Sequence, residues 1–356
     1  MSKQRLCPII LTILLILSAT ACTTESDQGA PVITTKPSTG KIYLYGETHG
    51  VEAILAQELE RWQEYYHEEN MRHLFVELPY YTAEYLNLYM TAENDDILDT
   101  VYEDWAGTAI YTSAVKDFYK QIKETCPETV FHGTDVGHQY DTTGARFLTY
   151  LENSGLRESE QYALAEQAIE QGEEYYNRND YGYRENRMVE NFVRAFDGLN
   201  GENIMGIYGT AHTAVNAMAT GSQKVASMAG QLHERYSDAL HIEDLKEVTQ
   251  PLHMDHIRVG STVYQAAYLG RQDLSQMLPD YLYRDFWRLE NAYEDFKNCL
   301  KTGDVLPYDN YPAQLEAEQV FVIDYVLKDG TTQRKYYRSD GADWQGRPST
   351  EEFVVE

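Results

Sequence analysis

The chain alternates short apolar runs, which are typical of buried strands, with longer segments whose apolar residues recur at helical spacing. The first run, residues 42–45, predicts a strand, and the apolar positions from Val51 to Trp62 predict an amphipathic helix that ends near Tyr66. Further strands are predicted at residues 73–79, 129–135 and 203–209. Helices are predicted at about residues 82–90, 112–125, 158–176, 183–196 and 214–228. This alternation predicts an α/β fold with a central, mostly parallel sheet that is flanked by helices.

The pattern changes beyond about residue 250, where strand-like alternation becomes more common. Residues 257–269 alternate between apolar and polar side chains, whereas residues 285–300 predict a helix. Two further β-like runs, 320–327 and 331–337, flank the pair Asp329-Gly330, and such a pair is a signal for a β-hairpin.

These patterns divide the chain into two parts. We expect an α/β domain over residues 41–250 and a C-terminal extension that contains strands over residues 251–356. The extension either adds strands to the edge of the same sheet or forms a small subdomain, and the sequence leaves both arrangements open.

The beginning of the chain resembles the signal and tether of a bacterial lipoprotein. Two basic residues precede an apolar run over residues 8–17, which is too short to span a bilayer, and small residues lead to Cys22. This order predicts a signal peptide over residues 1–21, with lipid on Cys22; an ordinary signal peptide is the alternative. Residues 22–40, rich in Thr, Ser, Pro and Gly, predict a flexible tether. The protein is therefore expected to be lipid-anchored at the extracytoplasmic face of the cell membrane.

The charge of the chain narrows the classes of partner. With 57 acidic and 29 basic residues, the net charge is −28, which argues against nucleic-acid binding and against adsorption to anionic lipid headgroups. The predicted contact with the membrane is therefore the lipid on Cys22. Outside the cytosol Cys126 and Cys299 can form a disulfide only if they meet in the fold, and the sequence does not decide this.

Polar side chains follow each predicted strand of the α/β domain at the point where the strand ends. In chain order, they are Glu47 and His49, Glu77, His132 and Asp135, and His212. The carboxyl ends of parallel strands form one edge of a sheet, and ligands bind at that edge. Isolated buried charges are costly, so four strand ends of this kind favour a functional site over simple packing.

Two of these turns share the form Gly-x-x-His, as Gly46-Glu47-Thr48-His49 and Gly209-Thr210-Ala211-His212. The first turn continues to Gly50, and an acid, Glu77, follows His49 after 28 residues. A helical segment between the turns reads Arg184-Glu185-Asn186-Arg187-Met188-Val189-Glu190-Asn191. Together these motifs, over roughly residues 41–212, resemble the erythromycin esterase/ChaN-like superfamily, which includes the Tiki/TraB proteins. Glu185 and Val189 stand where that superfamily usually has Asp and Ala.

The resemblance implies three alternative activities. Esterase-like members hydrolyse an ester or lactone with water that a histidine on the first turn, here His49, activates. Tiki-like members are metal-dependent peptidases, which makes His49, Glu77 and His212 candidate ligands of a divalent metal. ChaN-like members are lipid-anchored and associated with haem and iron uptake, and one of the 30 tyrosines is then a candidate iron ligand.

The residue types themselves fit hydrolysis by activated water. An imidazole with an ordinary pKa of about 6.5 accepts a proton at neutral pH, so His49 is the candidate general base. Glu47 or Glu77 would orient its ring, and His212 or Arg184 would stabilise an oxyanion. The sequence has no Gly-x-Ser-x-Gly elbow, which favours water as the nucleophile. Residues expected to contact the substrate or support the catalytic groups are Asp135, His132 and Thr48.

The substrate itself is expected to be a small molecule or peptide with an ester or amide bond. The segments 90–114 and 135–156 lie where they can form its pocket, although they carry no recognisable pattern.

Overall fold

The computed structural model describes residues 40–355 apart from 249, 276–277 and 345–346, and a parallel sheet of five strands forms the centre of its first part. The strands are β1 (Ile42–Glu47), β2 (His73–Pro79), β3 (Val130–Asp135), β4 (Ile204–Gly209) and β5 (Leu240–Asp244), in the spatial order β3-β2-β4-β1-β5. All pairings between them are parallel, so the five carboxyl ends lie at one edge. The predicted signal peptide, Cys22 and the tether up to residue 39 lie outside the described residues.

Helices flank this sheet, which confirms the predicted α/β class. They are α1 (Glu52–Glu68), α2 (Tyr80–Thr91), α3 (Asp96–Asp104), α4 (Ser113–Thr125), α5 (Ala145–Asn153), α6 (Glu160–Arg178), α7 (Tyr181–Gly198), α8 (Thr210–Thr213), α9 (Met228–Tyr236) and α10 (Leu245–Val248). The apolar stripe of α1 is buried, and its Trp62 also donates a hydrogen bond of 3.0 Å to Thr129, next to β3. The predicted helical periodicity thus fixes which face of α1 meets the sheet.

In the described part of the chain, a second sheet contains seven antiparallel strands. They are β6 (His253–Val259), β7 (Thr262–Asp273), β8 (Tyr281–Leu289), β9 (Lys301–Leu306), β10 (Val320–Leu327), β11 (Thr332–Trp344) and β12 (Arg347–Phe353), with the short helix α11 (Tyr293–Phe296) before β9. Their spatial order is β6-β7-β8-β10-β11-β12-β9, so the C-terminal strands form a sheet of their own. The hairpin predicted around Asp329-Gly330 is confirmed as β10 and β11, with Val326 opposite Thr332.

Both faces of the second sheet are covered. Successive residues of a strand point to opposite faces, and Val320 and Val322 belong to one apolar cluster whereas Phe321 and Ile323 belong to another. The sheet is also joined to the α/β part by hydrogen bonds, including one of 3.0 Å from Lys246 Nζ to the Tyr308 carbonyl. Both sheets belong to one compact unit.

The helix predicted over residues 214–228 is wrong, because this segment is an irregular loop up to Ser227. Gly221 has a positive φ of 68°, which no right-handed helix contains. Ser222 Oγ accepts hydrogen bonds from two backbone N–H groups that follow it, and such bonds compete with helix formation. The helix begins only at Met228, where the side chain of Ser227 caps its first turn.

The helix predicted over residues 285–300 is also largely wrong. Residues 285–289 belong to β8, which pairs with β7 on one side and β10 on the other, and only α11 is helical. Phe286 and Leu289 are buried in this arrangement. Pairing with two neighbouring strands therefore overrides the local helical pattern.

Other elements were absent from the sequence prediction. The edge strand β5 was not predicted, and α3 and α5 lie in the two segments that showed no pattern. Cys126 and Cys299 are both free thiols, and Cys126 is buried. A membrane-spanning helix is not found among the described residues.

Candidate active site

The polar residues at the strand ends converge at the carboxyl edge of the parallel sheet. Glu47, at the end of β1, lies opposite Gly209 at the end of β4, and β2 pairs with β4 on the other side. Glu77 of β2 therefore lies between two histidines. Its Oε2 is 3.7 Å from Nε2 of His49, and its Oε1 is 3.3 Å from Nε2 of His212. Residues from three distant parts of the sequence thus form one cluster.

His49 is more exposed than His212, the other histidine of this cluster. Its Nδ1 lies 2.8 Å from Oε1 of Glu47, and 34% of its side chain is accessible. Burial lowers the pKa of His49, but the negative charges of Glu47 and Glu77 outweigh this effect and raise it well above 6.5. The ordinary pKa assumed from the sequence is therefore wrong, and the imidazolium of His49 persists to higher pH than that of a free histidine.

Glu77 connects the groups of the site. Its Oε1 accepts a hydrogen bond of 2.6 Å from Arg184 Nη2, and its Oε2 accepts one of 2.6 Å from the backbone N–H of Gly209. Burial alone would raise the pKa of Glu77, but His49 and His212 hold it well below its usual range. Glu77 is therefore a carboxylate whose two oxygens already have N–H donors.

Arg184, on α7, binds a second acid, Asp135, in addition to Glu77. Its Nε donates to Oδ1 of Asp135 at 3.0 Å, and its Nη2 donates to Oδ2 at 2.5 Å. Asp135 is 1% exposed, and Arg184 and His138 outweigh the effect of burial and lower its pKa. His138 in turn lies 2.6 Å from the hydroxyl of Tyr176. The guanidinium thus binds two buried carboxylates at the floor of the site.

His212 is buried and lies between two acids. Its Nδ1 is 2.7 Å from Oε2 of Glu185, and the other oxygen of Glu185 accepts a hydrogen bond from the backbone of Met228. Although burial lowers the pKa of His212, Glu77 and Glu185 raise it to about 10. The sequence motif contained Glu185, but its role as the partner of His212 depends on the packing of α7 against the turn after β4. At neutral pH His212 is an imidazolium.

Glu58 is a buried acid of the site that the sequence analysis missed. It lies on α1, is 1% exposed, and its carboxyl forms a hydrogen bond with Glu47. Burial and then the charge of Glu47 raise the pKa of Glu58 well above its usual range, so Glu58 is the protonated partner of this pair. The sequence did contain a signal for this residue, because Glu58 interrupts the apolar stripe of Leu55, Leu59 and Trp62.

Of the other predicted site residues, Thr48 lies at the site and His132 does not. Thr48 lies in the cluster and lines a cavity beside His49. His132 is not brought to the cluster, since its Nε2 is 2.9 Å from Nδ1 of His73 and its ring stacks on Phe75. Burial and His73 lower the pKa of His132 to about 3, so it is a neutral packing residue.

The cluster lies between two cavities. One has a volume of about 300 Å³ and the other about 610 Å³, and both are lined by Glu47, His49, Glu77 and Arg184. The smaller cavity extends towards α1 and α4, and residues 108–110 and 138–139 help to close it. These residues belong to the segments expected to form the substrate pocket. The larger cavity reaches the C-terminal extension through Tyr308, Gln314, Leu315 and Pro348.

Gly209 leaves room for the two catalytic candidates beside it. A Cβ atom there would lie 3.1 Å from Nε2 of His49 and 3.3 Å from Oε2 of Glu77. We therefore expect Gly209→Ala to lower kcat/KM by roughly tenfold to a hundredfold, because small displacements of reacting groups are costly. Gly198→Ala is the matched control, since nothing lies within 4 Å of its added Cβ. Equal activity of the two variants, measured with an ester that the wild type hydrolyses, would contradict this role of Gly209.

The resemblance implied a metal site at His49, Glu77 and His212, which are close together here. Both histidines face Glu77 through Nε2 and hold an acid through Nδ1, an arrangement that metal ligands also use. However, Glu77 is already bound by Arg184, and among the described residues no group of three His, Cys, Asp or Glu side chains is arranged to hold a metal ion. The residues as they stand do not fit a metal, and haem binding stays a prediction.

No family model matches the sequence, and no curated protein is significantly similar to it. Among solved structures, the fold is similar to a mutant of the erythromycin esterase EreC in its open conformation, at 12% identity and a TM-score of 0.42, over 70% of this chain and 82% of that one. A succinoglycan biosynthesis protein is similar at 14% identity and a TM-score of 0.39, over 57% of this chain and 65% of that one. A Bacillus cereus protein is similar at 13% identity and a TM-score of 0.43, over 89% and 86% of the two chains. Similarity at this level does not assign an activity.

Proposed function

We propose that this chain is a hydrolase of the erythromycin esterase/ChaN-like superfamily, in which His49 activates water to cleave an ester or amide bond. The observation that carries the proposal is the position of His49, which Glu47 holds through Nδ1 while its partly exposed side chain lines both cavities. Six of the residues that carry the sequence resemblance belong to this one cluster, namely Glu47, His49, Glu77, Arg184, Glu185 and His212. The lipid anchor on Cys22 and the extracytoplasmic location remain predictions from the sequence.

The reaction begins with a water molecule beside Nε2 of His49. As the water oxygen attacks the carbonyl carbon, its proton moves to Nε2. Glu47 accepts the hydrogen bond from Nδ1–H, so it keeps the ring oriented and stabilises the imidazolium that forms. His49 then gives the proton to the leaving oxygen or nitrogen, which releases the alcohol or amine and the acid. Glu58, as a protonated acid, donates a hydrogen bond to Glu47.

Two cationic groups next to His49 are placed to stabilise the negative charge of the tetrahedral intermediate. Arg184 and His212 both line the larger cavity, and Glu77 holds both. Cationic groups that are fixed before the reaction stabilise developing charge without reorganisation. Glu77 therefore acts by positioning these groups rather than as the base.

The raised pKa of His49 predicts an alkaline pH profile. Only the neutral imidazole accepts a proton, so kcat/KM should rise with pH through the pKa of His49, above 6.5. Glu47→Gln removes the nearest negative charge, so it should lower the pKa of His49 and move this rising limb to lower pH, with a reduced maximum. Glu173→Gln, an exposed acid on α6, should leave the profile unchanged. A limb that stays in place in Glu47→Gln would contradict the assignment of the limb to His49.

A substrate screen tests the proposed function. The purified full chain is assayed on carboxylic esters, lactones and peptides, with His49→Ala beside it. Hydrolysis by the wild type that is lost in the variant is the expected result. Equal hydrolysis by both proteins, or no hydrolysis of any compound between pH 6 and 10, would contradict the proposal.

A further inference from the structure

We infer that the substrate is an amphipathic ester or amide, whose apolar group occupies the smaller cavity and whose polar group occupies the larger one. The inference rests on the proposed function, because it places the bond to be cleaved at His49. It adds the chemical class of the two groups on either side of that bond.

The smaller cavity is apolar where it extends away from His49. Its wall there consists of buried side chains of α1, the sheet and α4, namely Leu55, Val76, Ile207, Val115 and Phe118. Its volume of about 300 Å³ lies at the lower end of the range for small-molecule sites. A cavity with such a wall favours an apolar ligand over water.

Glu58 is a polar residue in this cavity. Its carboxyl is hydrogen-bonded to Glu47, whereas its Oε1 is buried and has no hydrogen-bond partner among the described residues. The charged residues of the smaller cavity are gathered at its other end, around Asp135 and Arg184, where they bind each other.

Away from the cluster, the larger cavity is lined by four polar residues together with Leu315 and Pro348. Asp244 is the last residue of β5, Lys246 lies on α10, and Tyr308 and Gln314 belong to the C-terminal extension. Hydrogen bonds fix this wall, because Lys246 Nζ donates to the Tyr308 carbonyl at 3.0 Å and the Gln314 backbone donates to the Lys246 carbonyl at 3.1 Å. The C-terminal extension thus supplies the surface that a polar group would meet.

The position of the cluster connects the apolar and the polar group of the proposed substrate. His49 and Glu77 line both cavities, so a substrate that reaches into both must carry its carbonyl group past Nε2 of His49. A purely polar substrate would leave the apolar wall without a partner, and a purely apolar one would bury the polar wall. An amphipathic substrate satisfies both.

Two ester series test the inference on the full chain. Glycerol monoesters of fatty acids from two to ten carbons keep the polar alcohol constant, and monoalkyl succinates of the same chain lengths keep the polar acid constant. In the series that binds productively, kcat/KM should rise by about fourfold for each added methylene until the cavity is full, and then level off. Hydrolysis without dependence on chain length in either series would overturn the inference and leave the proposed function standing. Hydrolysis of no ester would count against the proposed function itself.

A variant locates the chain-length dependence. Val115→Phe fills the apolar end of the smaller cavity. It should therefore lower the ratio of kcat/KM between the eight-carbon and two-carbon members of the series at least tenfold. Ile97→Phe is the matched control, because Ile97 is partly buried on α3 and lines neither cavity at the cluster. Ile110→Trp narrows the smaller cavity at a half-buried position and serves if Val115→Phe unfolds early in a thermal melt. An unchanged ratio in a folded variant would overturn the assignment of the apolar group to this cavity.

Discussion

Replacing His49 by alanine should lower turnover by about 10²–10⁴-fold, which is the usual contribution of a general base. The temperature of thermal unfolding should change little. Glu77 keeps Arg184, His212 and the Gly209 N–H as partners when His49 is removed, and Glu47 keeps its hydrogen bond with Glu58. The side chain of His49 also lies at a cavity surface, with 34% of it accessible.

The control for this variant is His233→Ala. His233 is exposed on α9, and its replacement should change neither turnover nor unfolding. Both variants are measured by steady-state kinetics on one ester and by thermal denaturation. A large loss of stability in His49→Ala without any loss of activity would show that His49 is a structural residue.

Replacing Arg184 by methionine should have the largest effect on stability. The guanidinium is 14% exposed and forms ion pairs with two buried acids, Glu77 and Asp135. Removing one partner of a buried ion pair leaves an uncompensated charge, which costs about 3–5 kcal/mol. The free energy of unfolding from urea titration measures this loss. Arg178→Met, which removes a surface ion pair with Glu174, should change stability by about 1 kcal/mol or less.

The loss in Arg184→Met should also depend on pH. The folded-state pKa values of Glu77 and Asp135 are lowered in the wild type, so their ionised forms stabilise the fold above the unfolded pKa values, and this stability is lost as the pH falls through the folded values. Without Arg184, Asp135 loses the largest of the charges that lower its pKa and is more easily protonated. The difference in stability between wild type and variant should therefore be largest near neutral pH and shrink below about pH 4. A difference that is independent of pH would contradict the ion-pair explanation.

The parts of the fold that the sequence predicts are those with a strong local pattern. The strands β1 to β4 are apolar runs, and α1, α4, α6 and α7 have apolar residues at helical spacing, so burial of one face suffices to identify them. The edge strand β5 has the sequence Leu-His-Ile-Glu-Asp, which is too short and polar to stand out. Residues 285–289 of β8 were predicted as helix, because the pairing of β8 with β10 is not visible locally.

The site could be predicted as far as it depends on where strands end. Parallel strands bring Glu47, Glu77, Asp135 and His212 to one edge whatever the details of packing. The pKa of His49 could not be predicted, since it depends on burial and on the distances to Glu47 and to Glu77, a residue of another strand. Likewise, the orientation of His132 towards His73 is decided by contacts between β2 and β3.

The central claim, that neutral His49 is the base that activates water, is tested most directly by an NMR titration of its imidazole beside the pH dependence of kcat/KM. Selective histidine labelling with His49→Ala as the reference assigns the signal. We expect the His49 signal and kcat/KM to change at the same pH, above 6.5, and both changes to be absent from His49→Ala. A His49 signal that titrates where kcat/KM is constant, or a rising limb that persists in His49→Ala, would contradict the claim.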